Sequence, residues 1–144
     1  MAYCTLADIL GRIDEATVIQ LTDDEGTGAV HAGRVDEAIA DADQEIDGYA
    51  GTRYAVPMSP VPAILKKLSV DIAIHNLFGR RSRKEPEERA ERYKVAVELL
   101  RQIARGAFSL GPSDPDGNPP ASDAPEMSAD NPQRTFTRGS MEGF

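Results

Sequence analysis

The sequence predicts an all-α protein, a small helical bundle of about four to five helices with a long extended C-terminal tail. Three observations carry that expectation. Apolar residues recur at 3.6-residue spacing through three long segments. Residues that start helices (Thr5, Asp14, Pro62 and Pro86) stand in front of the helical segments. After Leu110 the composition changes abruptly to Pro, Gly, Ser and Asp.

Thr5 is a good N-cap before LADILGRI, with Asp8 three residues on as the acidic partner of a capping box. Asp14 caps a second short helix, EATVIQL, which ends before an acidic turn. A longer helix is expected from about Gly33 to Ala50, with Val35, Ala38, Ile39, Ala42, Ile46 and Tyr49 on one stripe and acidic residues on its flanks. The segment YAVPMSPVP holds too many prolines to be helical, and its last, Pro62, opens the next helix, to about Gly79. That helix is apolar over most of its circumference, as a central helix must be. Pro86 opens a final helix through about Arg105, striped by Tyr93, Ala96, Val97, Leu100, Ile103 and Ala104, with Gly106 as its C′ residue. Val95 and Leu99 point away from this stripe and suggest a second contact surface. The chain thus divides into a helical domain, 1–110, and an arm, 111–144. The arm ends in QRTFTRGSMEGF, where Phe136, Met141 and Phe144 form an apolar anchor.

At 144 residues there is room for one domain. No apolar run approaches a bilayer span, and MAYCTLADIL lacks the basic start and apolar core of a secretory leader. The single Cys4 cannot form an internal disulfide, which fits a reducing cytoplasm. One Cys and two His residues do not make a zinc set, and neither a phosphate loop nor a nucleophile elbow is present.

The net charge of −8 is unevenly distributed. Residues 1–50 hold twelve acidic and two basic residues, residues 51–110 hold six acidic and twelve basic, and the remainder holds six and two. Such polarity suits head-to-tail association, in which the acidic face of one copy meets the basic face of the next and the contact closes into a ring. The expected interface residues are Asp36, Asp41 and Asp43 on one side, and Arg80, Arg81, Arg83, Lys84, Val95 and Leu99 on the other. The basic run carries no interleaved aromatic residue, so it lacks the stacking platform of a single-strand nucleic-acid binder.

Two patterns invite a chemical reading. LTDDEGTGAVHAGR opens like a calcium loop, and from Asp23 the first ligand positions hold Asp23, Glu25 and Thr27, with Gly28 at the sharp turn. The twelfth position, where a bidentate Glu belongs, holds Arg34. Asp23, Glu25 and Thr27 are therefore weak metal candidates, and the bland reading is an acidic turn; no metal or other cofactor is expected. Asp71 and His75 lie four apart on the apolar helix, half of a catalytic constellation without a nucleophile. They read as a structural polar pair fixing the helix register, and no enzymatic activity is expected.

Taken in order, YCTLADILGRIDEATVIQLTDDEGTGAV, EIDGYAGTRYAVPMSPVP, LSVDIAIHNLF and ERYKVAVELLRQIARGAFSLG closely resemble the Mu-like phage gp36 family of head–tail connector proteins. The resemblance covers roughly residues 1–111, and RTFTRGSMEGF is similar to the ends of the longer members. It implies an all-α adaptor in the neck of a virion or prophage-derived particle, made in the host bacterial cytoplasm. Its partners would be further copies in a ring, the portal protein above, and a stopper or tail-terminator protein below. DNA would only pass through the channel, and no membrane would be involved. The alternative is a small α-helical binding or regulatory module using a weak divalent-ion site in the Asp23 loop.

Overall fold

Each helix starts where the sequence supplies a cap. In the computed structural model, which describes residues 1–81 and 83–111, the elements are α1 (Leu6–Leu10), α2 (Glu15–Thr22), α3 (Ala32–Ala50), α4 (Ala63–Arg80) and α5 (Glu87–Arg105). There is no strand among the described residues. Thr5 and Asp8 close a full capping box on α1, and the Asp14 carboxylate accepts from Thr17 N at 3.0 Å on α2. Helix α3 begins one residue before the expected Gly33, because His31 Nδ1 accepts from Arg34 N and serves as its N-cap. Pro62 and Pro86 occupy the N-cap positions of α4 and α5 without a side-chain cap bond. The expected anchor residues of the arm, Phe136, Met141 and Phe144, lie outside the described residues.

Helix α4 is the hub, as its apolar circumference requires. It packs against α3 and α5, which also touch each other, and α1 and α2 close one side. Leu65, Leu68, Ile72, Ile74 and Leu77 of α4 meet Val35, Ile39, Ala42 and Ile46 of α3 and Ala96, Leu100 and Ile103 of α5 in one buried cluster. Fully burying a side chain such as Ile72 stabilises the fold by about 1.5–3 kcal/mol.

Two ties hold the chain ends to this bundle. At the N-terminus, Tyr3 is buried: its amide donates to Asp43 Oδ2 at 3.0 Å, its hydroxyl donates to Asp47, and that oxygen accepts from Met58 N at 3.0 Å. Burial and the Asp47 carboxylate push the Tyr3 phenol up to about 12. At the other end, Gly106 stops α5 in the left-handed region, with φ 76°. The Arg53 guanidinium lies directly over it, so that an added Cβ would meet Arg53 Nη1 at 1.4 Å. Four residues later Leu110 is buried, and its amide donates to the Tyr54 hydroxyl at 3.2 Å.

Candidate functional site

The calcium-like turn is occupied by arginines. Asp23 spends its carboxylate on the turn itself, accepting from Thr27 N at 2.9 Å, Gly28 N at 2.7 Å and Thr27 Oγ1 at 3.2 Å. These bonds hold its carboxyl below the usual carboxylate range. Gly26 and Gly28 both adopt φ 74°, which the tight turn requires and L side chains avoid. Arg34, at the twelfth position, forks Glu25 with Nη1–Oε2 2.8 Å and Nη2–Oε1 2.6 Å, and Nη1 also donates to Thr22 O at 2.6 Å. A guanidinium thus stands where a cation would have to sit. Asp23 and Thr27 are bonded to each other within the turn, while Glu25 is bonded to Arg34.

The basic run after α4 is drawn into the same cluster. Asp24 Oδ1 lies 2.6 Å from Arg80 Nη2 and 2.6 Å from Arg81 Nη2, and Arg34 Nη2 lies 3.3 Å from Oδ2. The Arg80 hydrogen bond, reinforced by the charges of Arg34 and Arg81, lowers the Asp24 carboxyl to about 2. Arg80 and Arg81 also donate to Leu21 O and Gln20 O, and Arg83 Nη1 donates to Gln20 Oε1 at 3.0 Å. Arg80, Arg81 and Arg83, expected at a contact with a neighbouring copy, thus have partners within their own subunit. The acidic and basic halves of the sequence meet here within one subunit, because the end of α4 folds back onto the turn after α2. Lys84 remains exposed.

The Asp71–His75 pair is corrected. His75 Nδ1 lies 2.7 Å from Glu85 Oε2, and its ring stacks on Tyr93 with centroids 3.8 Å apart and planes 8° from parallel. Glu85 comes from the charged linker before α5, so sequence spacing gave no hint of this partner. Asp71 has turned elsewhere. It is 7% exposed, and its Oδ1 is buried with no hydrogen-bond partner among the described residues.

On α3 the acidic residues separate into two kinds. Asp43 is structural: its carboxylate accepts from Tyr3 N and from Ser69 Oγ at 2.8 Å, and burial raises its carboxyl above the usual range. Of the aspartates expected at an interface, Asp43 is thus the one tied into its own subunit. Asp36, Glu37 and Asp41 are exposed and have no ion-pair partner among the described residues.

Val95 and Leu99 do form part of a surface. They line a groove of about 360 Å³ between α4 and α5, together with Leu68, Asp71, Arg92 and Ala96. Val95 is 65% exposed, whereas Leu99 is half-buried against the core. Arg92 pairs along α5 with Glu88 Oε1, with Nη2 at 2.7 Å and Nε at 3.2 Å, and its charge also acts on Asp71, whose Oδ1 stays without a hydrogen bond among the described residues. The groove thus has an apolar floor, the unpartnered Asp71 Oδ1 at its wall, and a mixed rim of Lys67, Glu88, Glu91 and Arg92.

The sequence has relatives among phage and prophage proteins. The family described as "Bacteriophage Mu, Gp36" matches residues 3–129. A Haemophilus influenzae protein, "Mu-like prophage FluMu protein gp36", is 39% identical over 83 residues, 58% of this chain and 57% of that relative, so the match spans little more than half of its length. "Gene product J" of Escherichia phage Mu is 28% identical over 150 residues, covering 100% of this chain and 99% of the relative. With the family match running through all five helices, from the tie at Tyr3 past the end of α5, this chain belongs to the phage Mu gp36 family.

Proposed function

We propose that this chain is a non-enzymatic head–tail connector subunit of a tailed phage or prophage-derived particle. Copies associate into a ring beneath the portal, extend the DNA channel, and present a surface to the stopper or tail-terminator protein below. One observation carries the reading: apart from Asp71 Oδ1, the candidate chemical groups named above are engaged within the fold, while exposed acidic residues and an open groove remain. Asp23, Asp24, Glu25 and His75 have turn, arginine and stacking partners, while Asp36, Glu37 and Asp41 and the Val95 groove are left open. Membership of a phage family supports the setting. No described helix is long and apolar enough to cross a membrane, in keeping with a place in the particle neck. The divalent-ion reading is less well supported, since Arg34 is paired with Glu25, one of the oxygens that reading needs.

The test is genetic and structural. Phage or prophage lysates lacking this chain should contain filled or partly filled heads and free tails, with few joined particles by electron microscopy. Purified chain should bind isolated portal rings as an annular layer. Normal yields of joined particles without the chain would remove the connector role.

A further inference from the structure

We propose that the groove between α4 and α5 is a docking site for residues 134–144 of a neighbouring copy of this chain. Phe136 covers Val95 and Leu99, and an arginine of the RTFTR stretch pairs with Asp71. The proposal deepens the connector reading, on which it rests for the presence of a neighbour.

The groove itself asks for such a ligand. Asp71 is buried at its wall with Oδ1 lacking any partner among the described residues. A carboxylate in that position is costly unless a donor reaches it, and a cation is the best donor. The nearby Arg92 is already bonded to Glu88. Beside the carboxylate, Val95 exposes most of its side chain on an otherwise polar helix face. A matching ligand therefore carries a large apolar side chain flanked by positive charge.

The chain contains that ligand. In QRTFTRGSMEGF, Arg134, Phe136 and Arg138 alternate with two threonines. In an extended backbone alternate residues share a face, so all three would point the same way. The five acidic residues of the preceding linker lie between Asp114 and Asp130, so positive charge is concentrated beside Phe136. Glu88 and Glu91 are already paired with Arg92 and Lys94, so Asp71 is the carboxylate of the groove left to receive that charge. Linker length permits a neighbour as the source, and the connector reading supplies one. Residues 112–133 can span about 75 Å when extended. A folded body of this size is only about 34 Å across. The leash is more than twice as long as a return to its own subunit requires.

The test uses full-length chains. A tagged donor carries the photoreactive p-benzoylphenylalanine at position 136, and an isotopically labelled recipient is otherwise unchanged. After mixing and irradiation, adducts should map by mass spectrometry to residues 67–71 and 92–99 of the labelled recipient. Val95→Asp in the recipient, at an exposed site that leaves the fold intact, should lower the yield about tenfold. Arg134→Glu with Arg138→Glu in the donor should do the same. Adducts confined to the donor's own chain would overturn the proposal. So would adducts mapping to the α3 face around Asp36 and Gln44, or no adducts between chains. Light scattering on the same samples separates the two readings: oligomers without groove adducts sink the docking site and leave the ring intact, whereas monomers without adducts sink both.

Discussion

Arg34 and Glu25 face each other across the acidic turn as a two-pronged pair, 2.8 and 2.6 Å apart. In a calcium loop those same two positions would both donate oxygen to the ion. Here one supplies the positive charge that the other needs. Calcium affinity should therefore be no tighter than about 10⁻⁴–10⁻³ M, the range of the weakest calcium modules. Isothermal titration checks this, and micromolar binding abolished by Asp23→Ala would contradict it.

The Asp24 cluster should make stability depend on acid. Asp24 has its carboxyl lowered from 3.8 to about 2 by Arg80 and its neighbouring arginines. A lowered acid contributes stability that is complete above its unfolded value and is lost as pH falls through its folded value. The melting temperature should fall as pH drops from about 4 to 2. In Asp24→Asn it should be lower at neutral pH but flatter across that window. Asp43 works in the opposite sense, since burial raises it and it holds its proton more readily when folded. Parallel pH slopes in the two proteins would assign the acid response to other groups.

Charge reversal on α3 should distinguish its two kinds of aspartate. Asp36→Lys with Asp41→Lys should weaken association, as should salt, because exposed charges are screened over about 8 Å at physiological ionic strength. The helical circular dichroism signal should stay unchanged. Asp43→Lys should instead lower the melting temperature, since it breaks bonds to Tyr3 and Ser69. Equal association in all variants would remove α3 from the interface.

Deleting residues 134–144 should leave the melting temperature of the isolated subunit unchanged, because the described residues between Tyr3 and Leu110 already form one buried cluster. The same deletion should impair joining of heads to tails, and Phe136→Ala with Phe144→Ala should reproduce most of the defect. Ile72→Ala gives the contrast: a cavity at the centre of α4 should cost about 2–5 kcal/mol in chemical denaturation. Normal particle yields from the truncated chain would mark the arm's end as dispensable.

Local signals made the helices legible. Thr5 with Asp8, Asp14, Pro62, Pro86 and Gly106 all act within a few residues of where they stand, and each marks a boundary found in the fold. The breadth of apolar surface on α4 likewise announced its central place. What stayed hidden depends on which distant charges meet. Arg80 pairs with Asp24 across 56 positions, and Asp43 reaches Tyr3 across 40. A run of arginines looks the same in sequence whether it faces solvent, a neighbour or its own chain. His75 was misassigned because Asp71 had the right helical spacing, while Glu85 had only proximity in space. The Val95 exposure was visible as a break in the stripe of α5, yet the buried carboxylate beside it was not.

The glycine stop at the end of α5 has a consequence for geometry between copies. Arg53 fills the space where a side chain at Gly106 would stand, and Leu110 is anchored at Tyr54, so the backbone leaves the bundle from a fixed root. In a ring, each root would then be related to the next by the same rotation. The rate at which an arm finds its target would follow from that rotation and from leash length, as an effective concentration. Lengthening the leash would dilute every arm equally, without touching a single contact of the folded body.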